Sequence, residues 1–111
     1  MQDKNLSNFT NLYGRTKNIY DLAVLIKKSE ILICSDSAPM HIGVAVNTKI
    51  AVIFGPTDDK VLLPDSEKIL VLSNNAECRP CLWKKRQTTC NELYCLKFNI
   101  DEIIEKLEKF C

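Results

Sequence analysis

Two short apolar segments, residues 31–34 and 50–54, constrain the fold of this chain more than any other feature of its sequence. Both are rich in β-branched residues and lack alternating polar positions, which predicts strands buried on both faces of a parallel sheet. The residues between them predict a helix, because Pro39 suits a first turn and Asn47 tolerates the left-handed conformation that ends many helices. We therefore expect a strand, a helix and a parallel strand in succession.

The start of this predicted helix is a candidate anion site. Asp36 and Ser37 come directly before it, where side chains often accept hydrogen bonds from the amides of a first turn. In a parallel sheet that turn lies at the carboxyl edge, where ligands bind, and the positive end of the helix dipole points towards them. The spacing alone nevertheless favours a plainer interpretation, in which Asp36 and Ser37 only cap the helix.

The residues at the two strand ends form two motifs. Residues 36–41 read DSAPMH and residues 54–58 read FGPTD. The pair resembles the heptosyltransferase family, glycosyltransferase family 9, whose nucleotide-sugar-binding domain carries D-[ST]-G-P-M-H, a helix of small residues, a strand and then F-G-P-T-D. Every position matches except Ala38, where the family usually has glycine, which lets the backbone approach a ligand closely. The proline that follows favours an extended backbone at Ala38.

The resemblance implies both a fold and an activity. The fold would be α/β, with a partial Rossmann-like parallel sheet that forms the C-terminal part of a GT-B donor-binding domain. The activity would be glycosyl transfer of the hexosyl or heptosyl kind, from ADP-heptose to the lipopolysaccharide core. The family's catalytic base lies in an N-terminal domain that these 111 residues do not include, so we expect the chain alone to be inactive. We also expect it to pair with an N-terminal-domain chain or with itself.

The resemblance also assigns roles to residues of the first motif. In the family, backbone amides of this turn hold the phosphates of the nucleotide sugar, and the Asp and His side chains lie beside phosphate and sugar. Carried over, Ser37, Ala38 and Met40 would contribute N–H groups or a hydroxyl, while Asp36 and His41 would orient the sugar. No residue of this chain is assigned as catalytic. Without the motif, His41 would be interpreted as a core residue of an apolar helix.

The rest of the chain predicts one partial domain over residues 1–111. Its further elements are a loop over residues 1–13, a turn and helix cap at 14–16, a helical turn after Asp58, a third strand at 69–72 and a helix over about 99–110 capped by Asn99. Apolar stripes at helical spacing predict the buried faces of the first and last helices. They are Ile19, Leu22, Ala23 and Ile26 in the first, and Ile100, Ile103, Ile104 and Leu107 in the last.

Residues 78–95 predict an irregular loop rich in cysteine. Cys78, Cys81, Cys90 and Cys95 would suit a structural zinc ion, since four thiolates bind zinc tetrahedrally and the first pair has the spacing of a zinc knuckle. The eight residues between the pairs are fewer than in ordinary zinc ribbons. Disulfide pairing and independent reduced thiols stay open beside zinc, although a chain without an export signal favours thiols or a metal over disulfides.

Composition narrows the partners and the compartment. The 15 basic and 14 acidic residues give a net charge of +1, which indicates neither nucleic acid nor an anionic membrane as a partner. No apolar run reaches the roughly 18 residues of a membrane span, and the first residues lack a signal peptide's apolar segment, so we expect a cytoplasmic protein.

The alternative function is a non-catalytic interaction or zinc-binding module on the same scaffold. Such a module has no need of Asp36, Ser37 and His41.

Overall fold

The computed structural model describes residues 8–81, 90 and 93–111. Within them, three parallel strands form a sheet in the order β1, β2, β3. The strands are β1 (Ile31–Ser35), β2 (Lys49–Ile53) and β3 (Ile69–Leu72), and the helices are α1 (Ile19–Lys28), α2 (Ala38–Ala45), α3 (Asp59–Leu62) and α4 (Ile100–Phe110), with a 3-10 turn at Tyr94–Leu96. The predicted α/β fold with a parallel sheet is confirmed. Among these residues, no helix has the length and apolar character needed to cross a bilayer.

Some of the predicted loops lie partly outside the described residues. The predicted N-terminal loop has no helix at residues 8–13, and its residues 1–7 are outside the described part. Residues 82–89, 91 and 92 of the predicted cysteine-rich loop are also outside it. The short helical turn predicted after Asp58 is confirmed as α3. The Asp58 side chain caps it by accepting a hydrogen bond from the Lys60 N–H at 3.0 Å.

Strand β2 is the centre of the sheet and of the core. It pairs with β1 on one side and β3 on the other, and Ile50, Ala51 and Val52 are all fully buried. Phe54, directly after the strand, is also buried and donates its N–H to the Leu72 carbonyl at 2.9 Å. The prediction that this uninterrupted apolar run forms a strand buried on both faces is therefore confirmed for β2.

Strand β1 is not buried on both faces, contrary to the prediction. The Ile33 side chain is 54% exposed, although its neighbour in register, Ala51, is completely buried. The cause is position, since β1 lies at one edge of the described sheet and has a strand beside it on one side only. Its other face does pack as expected, because Leu32 and Cys34 lie against the core.

Helix α2 packs closely on one face of the sheet, and Gly43 makes this possible. A Cβ atom on Gly43 would lie 2.7 Å from Ile50 Cγ2 and 3.1 Å from Leu32 Cδ2. Met40, from the same helix, joins Ile50 in the buried core. The absence of a side chain at Gly43 thus sets how near the helix backbone lies to β1 and β2.

The end of α2 confirms the role predicted for Asn47. This residue has a φ of 61°, in the left-handed region. Its N–H donates to the Val44 carbonyl at 3.1 Å, and the Thr48 N–H donates to the Gly43 carbonyl at 3.0 Å. The two bonds form a Schellman motif, which satisfies carbonyls that the helix leaves open and turns the chain into β2.

Helix α1 packs against α2 and is capped one position before it starts. Its cap is Asn18, which accepts a hydrogen bond from the Asp21 N–H at 2.8 Å, so the predicted cap at residues 14–16 is wrong. The turn predicted there is present, with Gly14 at a φ of 73°. Ile26 is buried as predicted, but Ile19 is 70% exposed. The apolar stripe is therefore at least half-buried at Leu22, Ala23 and Ile26 and open at Ile19. The Thr48 hydroxyl donates to the Ile26 carbonyl at 2.9 Å.

Helix α4 lies on the other face of the sheet. Lys49 points away from the face that carries Ile50, because side chains alternate along a strand. Its ammonium group lies 4.7 Å from the centre of the Phe110 ring and donates to the Phe110 carbonyl. Asn99 caps the helix as predicted, by accepting from the Asp101 N–H at 3.0 Å.

The predicted buried stripe of α4 is only partly correct. Ile103 and Leu107 are half-buried, whereas Ile100 and Ile104 are exposed. A sheet of three short strands offers the helix a narrow surface, so one flank of its apolar stripe finds no cover within the described residues.

Replacing Gly43 with alanine should destabilise the fold, although alanine is the better helix former. The new methyl group must displace the branched side chain of Ile50, and overpacking of this kind outweighs the gain in helix propensity. We expect a loss of about 1–2 kcal/mol in the free energy of unfolding, measured by urea denaturation. Ala45→Gly at an exposed position of the same helix is the control for propensity alone. A G43A protein as stable as the wild type would contradict the close packing described above.

Candidate functional site

The two sequence motifs meet at the carboxyl edge of the sheet. We call residues 36–41 the α2 turn and residues 54–58 the β2 loop. Because β1 and β2 are parallel neighbours, both segments leave the sheet at the same edge. The Thr57 hydroxyl in the β2 loop donates a hydrogen bond to Oδ2 of Asp36 in the α2 turn. The motifs thus form one site, joined by a direct side-chain contact.

The side chains expected to cap α2 do not cap it. Ser37 is the N-cap residue and has the extended backbone of one, but its hydroxyl donates to the Ser35 carbonyl at 3.3 Å. The Asp36 carboxylate accepts from Thr57 instead. The capping prediction is wrong for both residues because each side chain has a nearer partner than the helix amides. The Asp36 carboxylate therefore contacts the β2 loop and does not cap the start of α2.

The backbone amides of the α2 turn differ in how they are used. The Ser37 N–H donates to the Ser35 carbonyl at 2.9 Å, and the Met40 N–H donates to the Ser37 carbonyl at 3.0 Å. The Ala38 N–H makes no hydrogen bond with another described residue. Met40 itself is fully buried and anchors the start of the helix in the core. The Ala38 N–H is therefore an open donor of this turn, and its residue is exposed.

The backbone at Ala38 is helical and not extended, contrary to the prediction. Ala38 is the first residue of α2, and Pro39 follows it within the first turn. The restriction imposed by a following proline is a preference, and the burial of Met40 one step later overrides it. Positive φ angles occur in the described residues at Asn47, Asn75 and Leu93 among the non-glycine positions. The α2 turn accordingly accepts alanine in place of the family's glycine without backbone strain.

His41 lies on the exposed side of α2. The helix buries Met40 and Gly43, while His41 is open to solvent one turn from the helix start. The apolar sequence around His41 indicates a buried core residue, but the structure places this histidine at the surface. Its imidazole is accessible to a ligand at the same end of the helix as Asp36 and Ala38.

The β2 loop is supported from behind by the segment that follows β3. Arg79 donates from Nε to the Gly55 carbonyl at 2.6 Å and from Nη2 to the Thr57 carbonyl at 3.1 Å. The Cys81 N–H donates to the Pro56 carbonyl at 2.9 Å. Neither Thr57 nor Arg79 was predicted as a site residue from the sequence. The signal for Thr57 was available, since the carboxyl ends of parallel neighbours always meet, whereas nothing local indicates Arg79.

The cysteines of residues 78–95 lie near one another without forming an evident metal site. Burial raises the pKa of the Cys95 thiol, and the neighbouring thiols of Cys78, Cys90 and Cys81 raise it further. Within the described residues, no three His, Cys, Asp or Glu side chains are arranged to hold a metal ion. The structural zinc therefore stays a prediction that metal analysis must test.

The fold and the site together define a class of protein. An open parallel α/β sheet with a helix start and a polar side-chain pair at its carboxyl edge is the arrangement by which Rossmann-like domains bind nucleotides. The family profile described as glycosyltransferase family 9 (heptosyltransferase) matches residues 2–92 of the 111-residue chain, and the chain belongs to this family. Its sheet is a partial Rossmann-like sheet of the GT-B type. Neither a curated protein nor a solved structure matches the chain.

The accessibility of the cysteines predicts the order in which they react. Cys78 and Cys111 are exposed, whereas burial raises the pKa of Cys95 and of Cys34. A raised pKa lowers the fraction of reactive thiolate at neutral pH. We expect iodoacetamide to modify Cys78 and Cys111 at least about tenfold faster than Cys95 at pH 7, as read by peptide mass spectrometry. Equal rates at Cys78 and Cys95 in metal-free protein would contradict the burial of Cys95.

The same experiment tests zinc. A four-cysteine site would hold about one zinc ion per chain in protein purified under reducing conditions. The ion would protect Cys78 together with Cys95, and a chelator would expose both. Cys81→Ser should remove the metal and Cys111→Ser should not. Metal-free protein whose thermal stability is unchanged by chelator would reject the zinc site.

Proposed function

We propose that this chain supplies the donor diphosphate and sugar site of a nucleotide-sugar-dependent glycosyltransferase, with ADP-heptose as donor and the lipopolysaccharide core as acceptor. Membership of the family supports glycosyl transfer in general. The observation that carries the proposal is the hydrogen bond between Thr57 and Asp36 beside the start of α2. It holds the Asp36 carboxylate beside an open helix terminus, and a sugar diphosphate needs both groups.

The start of α2 is the proposed phosphate-binding element. The Ala38 N–H is an open donor there, and the positive end of the α2 dipole adds to its attraction for an anion. The exposed Ser37 hydroxyl is a second donor once it turns from the Ser35 carbonyl. Each such contact contributes about 0.3–1 kcal/mol when exposed, so the amide, the hydroxyl and the dipole must act together.

Asp36 and His41 are the proposed sugar-binding side chains. Thr57 holds Oδ2 of Asp36, and the other carboxylate oxygen accepts no hydrogen bond from a described residue. A half-buried carboxylate held at one oxygen loses less conformational freedom when its second oxygen accepts from a sugar hydroxyl. The exposed His41 imidazole offers a donor or an acceptor to a neighbouring hydroxyl.

This site would serve one half of the reaction. Inverting glycosyl transfer requires a base that removes the acceptor's hydroxyl proton, while the nucleoside diphosphate leaves with increased negative charge. The Ala38 amide and the α2 dipole would stabilise that leaving charge. We assign no base to the α2 turn or the β2 loop, so the acceptor and its base belong to a partner.

The exposed edge of β1 supports the need for such a partner. Ile33 is apolar and more than half exposed, and the outer edge of β1 has no strand beside it in the described part of the chain. An unpaired apolar strand favours addition of another strand. We propose an N-terminal-domain chain, or a second copy of this chain, as the partner. A non-catalytic interaction module on the same scaffold would not need the Asp36–Thr57 contact.

Titration with ADP should first shift the amide signals of the α2 turn, because the diphosphate is assigned to it. Ala38 should show the largest ¹H–¹⁵N shift, and amides of α4 on the opposite face should be unaffected. Shifts confined to residues outside the α2 turn and β2 loop would contradict the proposal.

Replacing Asp36 with alanine should separate sugar binding from nucleotide binding. The carboxylate is assigned to sugar hydroxyls, so D36A should weaken ADP-sugar binding roughly tenfold, as expected for one lost hydrogen bond to a charged group. Binding of ADP itself should change less than about threefold, measured by calorimetry. Asp58→Ala is the matched control, because Asp58 lies in the β2 loop but caps α3. Equal losses of both ligands in D36A would remove the sugar assignment.

The chain made alone should associate and should not transfer sugar. Pairing at the β1 edge predicts a molecular mass that rises with concentration in light scattering, and Ile33→Lys should reduce this association because charge at an edge opposes strand addition. Ile100→Lys, at another exposed apolar position, controls for general solubility. A dilute monomer that transfers sugar would overturn the assignment of the base to a partner.

A further inference from the structure

Arg79 lies in an irregular segment after β3, and its charged side chain is largely buried. Its side chain is only 11% exposed. A buried guanidinium group is costly unless its N–H groups find acceptors. Here it donates to the carbonyls of Gly55 and Thr57 and to Oδ1 of Asp59, the last at 3.2 Å. The planar, rigid donors of arginine suit this set of acceptors, and the ammonium group of lysine does not reproduce them.

The segment around Arg79 binds three successive carbonyls of the β2 loop. Arg79 binds those of Gly55 and Thr57, and the Cys81 N–H binds that of Pro56 between them, at 2.9 Å. Carbonyls that leave a strand end have no ladder partner and require donors from elsewhere. Residues 79 and 81 provide these donors and so hold the backbone of the loop in one conformation.

The same loop contacts the α2 turn through Thr57. The carbonyl of Thr57 accepts from Arg79, while its hydroxyl donates to Asp36. We infer that Arg79 is a positioning residue of the donor site, which acts through Thr57 to hold the Asp36 carboxylate in its sugar-binding orientation. This inference rests on the proposed function for its effect on ligands, but its effect on Asp36 can be measured without any ligand.

The two carbonyl contacts of Arg79 carry this role, and the ion pair with Asp59 does not. Asp59 lies in α3, beyond the β2 loop, and its side chain is more exposed than that of Arg79. Asp59→Asn removes the ion pair and leaves both carbonyl contacts in place. D59N is therefore the matched control, because it changes the charge next to Arg79 without removing the carbonyl contacts.

The ligand-free 111-residue chain provides the first test. The ¹³C signal of the Asp36 carboxyl group reports whether the Thr57 hydroxyl bonds to it, and Thr57→Val gives the signal of the broken contact. Arg79→Lys keeps the charge and loses the planar donors, so R79K should move the Asp36 signal towards the position seen in T57V. D59N should leave it at the wild-type position. A folded R79K protein with the wild-type Asp36 signal would overturn the inference.

Binding provides a readout that a merely structural role would not produce. R79K should weaken ADP-sugar binding about fivefold to tenfold, and ADP binding by less than about threefold. In the T57V background R79K should cause no further loss, since both substitutions break the same path. Additive losses in this double-mutant cycle would show that Arg79 acts independently of Thr57 and would contradict the inference.

The design separates failure of the inference from failure of the proposed function. Wild-type protein that binds neither ADP nor ADP-sugar would contradict the proposed function, while the Asp36 signal in R79K would still decide the positioning role. Thermal unfolding monitors whether each variant is folded. Where R79K does not fold, Arg79→Gln, which keeps a planar amide donor without the charge, is measured by the same comparison and must shift the Asp36 signal in the same direction.

Discussion

Parallel pairing of β1 with β2 is the constraint on which the proposed site depends. Since the two strands are neighbours and run in the same direction, the segments that follow Ser35 and Ile53 emerge side by side. The connecting helix must then lie on one face of the sheet, and Gly43 permits the close approach that this requires. Only this geometry lets Thr57 reach Asp36 across the edge. Two motifs that are distant in sequence thereby become one polar surface at the start of α2.

An irregular segment completes this surface from behind. The β2 loop turns away from the sheet, so its carbonyls cannot pair within the strand ladder. Arg79 and Cys81 satisfy them, and the buried guanidinium group of Arg79 is stable there because it gains acceptors in return. The cysteine-bearing part of the chain is thus connected to the candidate site through Arg79 and Cys81. This connection consists of backbone and guanidinium hydrogen bonds.

The sequence predicted best the features that depend on local conformation. Asn47 closes α2, Asn99 caps α4, and the third strand lies where its apolar run predicted, because each depends on residues a few positions apart. Family motifs correctly identified the chain's family and fold. Predictions failed where the outcome depends on distant groups. Ile33 is exposed because no strand lies beyond β1 in the described sheet, whereas the apolar run of β1 taken by itself predicts a strand buried on both faces.

In the candidate site, too, local features were predicted from the sequence and contacts between distant residues were not. The sequence indicated the α2 turn, but not that Asp36 would accept from Thr57 and leave the helix amides uncapped. Arg79 was missed because the two carbonyls that it binds, those of Gly55 and Thr57, lie more than twenty residues away in sequence. A buried arginine cannot be recognised by spacing, since its acceptors are backbone carbonyls, which every residue has. Long-range hydrogen bonds of this kind require a three-dimensional structure.

A crystal structure of the chain with ADP tests the central claim most directly, because the claim concerns where one phosphate group lies. We expect a phosphate oxygen at hydrogen-bonding distance, about 2.7–3.2 Å, from the backbone nitrogen of Ala38, with Thr57 still bound to Asp36. A nucleotide bound elsewhere on the chain, with only water at the Ala38 N–H, would contradict it.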